Sequence, residues 1–542
     1  MRGWIVLWLA CLTGPAFAAD ACSESQELDR YRLLRRMSLD LRGHMPSYDE
    51  YLALDQQAGV PDSLVDDYLA SDAFRVAMRS YHRDLLWPNI STVQLTDIEM
   101  RLVDGKQGIM AVLGSSRRKK FRQGSGVETC GDFEQKEFDS NGFPVVEKIT
   151  DPVSGKQYFQ DGWVMVEPYW APGTSVKVCA FDAQALPTST GAATCPAGAP
   201  KQGPNACAVC DSSNGPGSAR CGCGPNLRWC YSEGTDKTIL ASLEESLLRI
   251  VDAAVTGSMP YSSILTEKTT WIDGPIAFWM RHLTRTGTSR KAFNPTVPED
   301  GTLPDDPDFT DPAFQAVARS GIHSGVLTHP AFTLRFQTNR GRANRARVAF
   351  AGQYFVPPSG VDTNCNETTD DLTERCTCRQ CHMVLEPLAA HFADVAEAGS
   401  ALMTDRTTFP IYRAECDPAV TAKIPQDCVR YYAIDTVAHK PGTLLPYQYL
   451  DADSVFHQLG MDQAVEGPAG MAKDLIETGQ FHTAIVASLF HRLMGRELDL
   501  DATSAGNDVA LHAAVVSDFA ATDDFRALVR ALVTADQYRR IR

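Results

Sequence analysis

The sequence predicts a mainly α-helical chain of several domains, 542 residues long, interrupted by a cysteine-rich loop/β insert. Three observations carry this. Apolar residues recur at three- and four-residue spacing up to about position 90, again at 237–284, and again beyond 450. Between 123 and 236 that rhythm stops, and Gly, Pro, Ser, Thr and Cys dominate. The third observation is the pentapeptide Cys378-Arg379-Gln380-Cys381-His382, whose spacing belongs to a prosthetic-group attachment site.

Residues 1–18 read as a secretory leader. Arg2 is its positive end, Trp4 to Leu12 its apolar core, and Ala16-Phe17-Ala18 its cleavage site. The core is too short to span a bilayer, and no later apolar run reaches about 18 residues, so no transmembrane anchor is expected. The N-terminal helical domain is expected over 19–122. The run Leu28 to Arg36, followed by Met37, Leu39 and Leu41, keeps apolar positions at three- and four-residue spacing until Gly43 and Pro46 break it. Ser47 then caps a helix from about Tyr48, with Glu50 as its capping-box partner. Further helices are expected from Pro61 or Ser63, carrying Leu64, Val65, Tyr68 and Leu69, and from Asp72 to Leu86.

The insert is expected over 123–236, with strand-like pieces at Tyr158-Phe159 and Gly162–Val166. Seven of its cysteines lie between Cys179 and Cys230, the pattern of a disulfide-stapled unit with little core of its own. Cys207, Cys210, Cys221 and Cys223 are the one set there that could hold zinc instead. A second helical domain follows over 237–350, its stripe running from Ile239 through Leu243, Leu247 and Val251 to a stop at Gly257 and Pro260. Residues 291–312 read as an exposed connection, and a helix with Ser324 and Thr328 near its start precedes the basic stretch Arg335 to Arg347. The region 351–450 carries the pentapeptide. The last domain, 451–542, is again helical, notably at Thr483–Gly495 and Phe525–Ala535.

The formal net charge of −16 argues against a nucleic-acid partner. One basic cluster, Arg117-Arg118-Lys119-Lys120 with Arg122, reads as a solvated helix end or loop. There are sixteen cysteines. Once Cys11 leaves with the leader and Cys378 and Cys381 are set aside, the remainder is odd, so one thiol is left over. Cys365/Cys376 and Cys416/Cys428 are plausible short-loop disulfides.

Two thiols two residues apart can each bond one vinyl group of a haem, and the adjacent histidine then ligates the iron. Cys378 and Cys381 are therefore the expected attachment residues for one covalent haem c, and His382 the metal ligand. Export favours this over zinc, because covalent haem attachment in bacteria occurs outside the cytoplasm. The second imidazole nitrogen of His382 is expected to donate to a backbone carbonyl. Met403, Met461, Met471 and His391 are candidates for the sixth ligand. Arg340, Arg342, Arg345 and Arg347 are either propionate partners or a solvated basic face. There is no Gly-x-Ser-x-Gly elbow, His-Glu-x-x-His or P-loop, and acid pairs such as Glu244/Glu245 and Asp306/Asp308 have no supporting context.

Several segments, in order, resemble one family. Arg35-Arg36-Met37-Ser38-Leu39-Asp40-Leu41-Arg42-Gly43, with Pro46 and then Leu64-Val65-Asp66-Asp67-Tyr68-Leu69, resembles the N-terminal domain of the planctomycete-type cytochrome c proteins. Ser262 to Ile272, His323-Ser324-Gly325-Val326-Leu327-Thr328-His329-Pro330-Ala331-Phe332, Cys378 to Phe392 and Phe490 to Arg496 are similar to its later segments. The resemblance implies multi-helical, cytochrome-c-like domains in an exported protein of unassigned activity. The family's usual Asp before Pro-Leu is Glu386 here, and its Asn after Ile272 is Asp273; neither change is expected to touch haem attachment. The expected function is electron transfer with a partner oxidoreductase, in the periplasm or otherwise exported; the alternatives are a haem-dependent oxidoreductase and a haem-free, disulfide-rich scaffold.

Overall fold

The computed structural model describes residues 26–90, 101–112, 121–122, 129–184, 222–283, 303–354, 375–402 and 467–541 except 141, 305, 320, 322, 377 and 398, with shorter pieces elsewhere, mainly between 410 and 443. The expected leader, the cluster 117–120, and Cys195, Cys207, Cys210, Cys221, Cys365, Met403 and Met461 lie outside the described residues.

About 49% of the structure is helical and 12% is strand, so the mainly α expectation is corrected to mixed α/β. The strands were hard to read because most are only three or four residues long, too short to establish a two-residue alternation. The chain divides into two units, one of residues up to Met78 with Val486–Arg542, the other Arg79–Ile485.

The first unit contains β1 (Gln26–Glu27), α1 (Arg30–Arg42), α2 (Tyr48–Asp55), α3 (Asp62–Ala70) and the start of α4 (Asp72–Leu86). Asp29 caps α1 by accepting from the Tyr31 and Arg32 amides, and Gly43 ends it in the left-handed region at φ 73°. The capping box of Ser47 and Glu50 forms as expected. The stripe Leu33, Leu34, Met37 and Leu41 is buried, as are Val65, Tyr68 and Leu69 of α3. The Arg36 guanidinium lies 4.2 Å from the Tyr538 ring centre and donates to the carbonyls of Tyr538 and Leu493.

In the second unit β2 (Leu102–Asp104), β3 (Ile109–Val112), β6 (Trp163–Val166) and β7 (Val176–Cys179) make a sheet in the order β2-β3-β7-β6. Only the β3–β7 pair is parallel. β4 (Glu147–Thr150) and β5 (Gln157–Gln160) form a separate hairpin. The sheet thus draws strands from both sides of position 123. Disulfides join Cys130 to Cys179 and Cys223 to Cys230, which removes Cys223 from any four-sulfur zinc site. Arg122 is fully buried rather than solvated: its Nε and Nη2 donate to Asp161 Oδ1, whose Oδ2 accepts from the Phe181 amide.

The expected long helix is α5 (Glu233–Val255), whose Ile239, Leu243, Leu247 and Val251 are buried. Its acid pair is structural, since Glu244 takes Arg83 and Glu245 takes Arg79. α6 (Ser263–Thr266), β8 (Thr269–Ile272), α7 (Gly274–Phe278) and β9 (Gln315–Ala318) follow, with β8 and β9 antiparallel. Within the expected exposed connection Leu303 and Phe309 are buried, and Phe309 packs edge-on against Tyr169 and Phe278. Gly325 takes φ 42° against the Ile264 carbonyl, where no Cβ would fit. After it α8 (Pro330–Arg335) is capped by His329, later than the sequence suggested, and α9 (Asn339–Ala351) carries the basic stretch. α10 (Arg379–Ala390) and α11 (Gly467–Glu477) complete the surroundings of the pentapeptide. Across the two units run α12 (Gln480–Met494) and, in the first, α13 (Val509–Thr522), α14 (Phe525–Thr534), α15 (Asp536–Arg539) and β10 (Arg540–Ile541), which pairs with β1. No described helix is long and apolar enough to cross a membrane.

Candidate functional site

The pentapeptide forms the first turn of α10. Cys378 occupies the cap position, and its carbonyl accepts from the amides of Cys381 and His382 at 3.1 and 3.0 Å. Three- and four-residue offsets place Cys381 and His382 on the side of the helix that Cys378 begins. Nine cysteines are described, and seven of them are in disulfides. The two that keep thiols are Cys378 and Cys381, both half-buried. Cys376, two positions before the motif, is disulfide-bonded, and Cys416 pairs with Cys428 as expected.

His382 is held by a side chain, not by the backbone carbonyl that the sequence reading expected. Its Nδ1 lies 2.6 Å from Glu386 Oε1, one turn on along α10. The same oxygen accepts from Arg340 Nε of α9, also at 2.6 Å. Glu386 is buried, and its Oε2 makes no hydrogen bond among the described residues. Glu386, where the resembled family has Asp, therefore touches the histidine directly. A His-x-x-x-Glu spacing at the start of a helix was the available signal.

The four arginines of α9 part company. Arg342 is fully buried and donates to Asn339 Oδ1 and to the carbonyls of Thr333, Val395, Ala396 and Gly399. Arg345 donates to the carbonyls of Asp84 and Leu85 and lies 4.2 Å from the Trp87 ring centre; burial pulls its pKa down to about 10. Arg340 takes Glu386, and Arg347 borders a cavity. A solvated basic face is thus excluded, and Arg342 is fully committed to the fold.

Two of the sixth-ligand candidates are described. His391 donates from Nδ1 to the Gly467 carbonyl at 2.9 Å, and Met471 is buried. Both line a cavity of about 310 Å³ together with Val384, Pro387, Leu388 and Leu475. Positions 384, 388 and 391 lie about half a turn around α10 from His382, which does not line it. The structure brings these two candidates together without bringing them to His382.

A Ser–His contact forms where His329 Nε2 lies 2.9 Å from Ser246 Oγ. Ser246 donates onward to the Trp271 carbonyl, His329 Nδ1 accepts from the Ala331 amide, and both residues are buried. This is a packed structural link, with burial pressing the His329 pKa down to about 3. The buried group Cys130, Asp161 and Cys179 has metal-like proximity, but its sulfurs are cross-linked.

A haem fits the residues present at the start of α10. Among the described residues, Cys378 and Cys381 are the two cysteines outside disulfides, and the imidazole beside them has one nitrogen held by a carboxylate. Its other nitrogen, Nε2, makes no hydrogen bond among the described residues. No family model, curated protein or solved structure matches the chain.

Proposed function

We propose that the chain is an exported monohaem c-type cytochrome that passes electrons to or from a partner oxidoreductase. The observation that carries this is the contrast among described cysteines: Cys378 and Cys381 are in no disulfide and stand one turn before and directly before an oriented His382, while the others are in disulfides. The ordered resemblance to the planctomycete-type cytochrome c proteins supports the same reading, and the expected leader and the disulfides support export.

Haem bound here supplies a one-electron iron couple. Cys378 and Cys381 would hold the group through thioether links, and His382 would ligate its iron. Glu386 holds the proton of His382 on Nδ1, which leaves the Nε2 lone pair for iron. Met383 and Val384, directly after the motif, are 45% and 47% exposed, an apolar surface of the kind a transient redox partner covers.

The test is an absorption spectrum and denaturing-gel haem stain of protein exported from a host competent in cytochrome c maturation. Covalent haem in the native chain, lost in the Cys378→Ala/Cys381→Ala variant, is expected. A colourless chain of unmodified mass overturns the proposal in favour of a disulfide-rich scaffold, and high-spin iron that binds small ligands favours an enzyme acting on a substrate.

A further inference from the structure

We propose that Glu386 and Arg340 form an opposed pair that sets the electron-donating strength of His382, and through it the reduction potential of the site. This rests on the haem reading above and deepens it.

The geometry is a chain of three groups meeting at one oxygen. His382 Nδ1–H and Arg340 Nε–H both point to Glu386 Oε1, each at 2.6 Å. A neutral carbonyl accepting the Nδ1 proton leaves the imidazole neutral. A carboxylate draws that proton further, gives the ring more anionic character and makes Nε2 a stronger donor. A stronger donor favours the oxidised metal and lowers the potential. Arg340 works against this by drawing charge from the same oxygen, so its removal leaves Glu386 a stronger acceptor.

Burial separates this arrangement from an ordinary surface pair. An exposed His–Glu contact four residues apart on a helix has a small effect that salt screens. The Glu386 side chain is 8% exposed, against 18% for His382 and 31% for Arg340. Its second oxygen is buried without a hydrogen bond among the described residues. A charge kept in such a place interacts strongly with whatever partners it has. Arg340 comes from α9, and the next arginine of that helix, Arg342, ties α9 to the 395–399 loop; the guanidinium is therefore delivered by a fixed element.

The experiment measures midpoint potential and the ferric electron paramagnetic resonance spectrum of the haem-loaded native chain, Glu386→Gln and Arg340→Gln. Glu386→Gln is expected to raise the potential and to change the ferric g-values, because the acceptor at Nδ1 weakens. Arg340→Gln is expected to lower the potential and to move the g-values the opposite way. Unchanged potentials, or shifts of the same sign in both variants, overturn the proposal. Opposite potential shifts with unaltered g-values also overturn it, since they mean through-space charge alone. Should Glu386→Gln fail to accumulate, Arg340→Gln still decides: a lowered potential with shifted g-values supports the proposal, and a lowered potential with unaltered g-values overturns it. Absence of covalent haem from the native chain would instead remove the cytochrome reading itself, an outcome visible in the haem stain before any potential is measured.

Discussion

The β-rich region of residues 101–184 and the helical region of α8 to α10 are closed by different means. The sheet has strands of three or four residues and only small apolar clusters, such as Ile109 and Ala111 with the Cys130–Cys179 pair. So little burial needs reinforcement, and it comes from that disulfide and from the buried Arg122–Asp161 ion pair. Around the pentapeptide, Arg342 does the corresponding work by satisfying four backbone carbonyls. Cys378 and Cys381 there are in no disulfide and stand beside His382. Within one chain, a cysteine closed on a strand partner is a staple, whereas a pair outside disulfides beside an oriented imidazole is what the proposed haem site uses.

The sharpest way to break this comparison is Arg342→Ala. It removes five hydrogen bonds and leaves buried carbonyls of Thr333, Val395, Ala396 and Gly399 without their donor. The expected cost is roughly 5 kcal/mol. Urea unfolding followed by amide exchange of residues 395–399 measures it. A loss below about 1 kcal/mol would show that helix packing alone closes the region.

The sheet should respond to its covalent link on a slightly smaller scale. Cys130 and Cys179 are separated by 49 positions, and loop-closure entropy puts the effect of Cys130→Ala/Cys179→Ala at about 4 kcal/mol. The Cys223–Cys230 link closes a separation of 7 and should contribute roughly 2.5 kcal/mol. Midpoints of denaturant unfolding for the two double variants give the order directly. If the shorter link proves the more stabilising, native contacts rather than loop closure control the sheet.

Much of the helical framework was legible because its signals are local. Ser47 with Glu50, the stop at Gly43, and the stripes of α5 and α14 specify their elements within a few residues. The pentapeptide was legible for the same reason. What escaped depends on partners distant in sequence. Arg122 reads as one more solvated cation until Asp161 meets it 39 positions later. Arg340 and Arg342 differ only in what α9 faces, and no periodicity separates a carboxylate partner from a set of loop carbonyls. Phe309 belongs to a Pro- and Asp-rich stretch that looks exposed, yet aromatic rings from two other segments cover it. Glu386 was half-legible: its spacing from His382 is local, but its burial is not.

Acid offers the smallest and most selective perturbation, because it acts on the entry to α8. His329 can fill its role only when neutral: Nδ1 must accept from the Ala331 amide while Nε2–H donates to Ser246 Oγ. Burial, and the Arg319 guanidinium nearby, hold its pKa at about 3, below the ordinary 6.5; burial likewise lowers His323 to about 2. In the unfolded chain these imidazoles gain protons near pH 6.5, while the folded chain stays neutral down to those depressed values. The unfolded state therefore binds more protons in that window, so stability is fully present above about pH 6.5 and is lost as pH falls toward 3. Between pH 7 and pH 5 His329 alone should cost about 2 kcal/mol. Amide exchange of α8 and α9 at both pH values, compared with His329→Asn, measures this. The variant keeps a side-chain acceptor for the cap but cannot titrate, so its local stability should change less with pH. An identical pH slope in the variant would assign the acid response to other groups and leave His329 as a packing residue only.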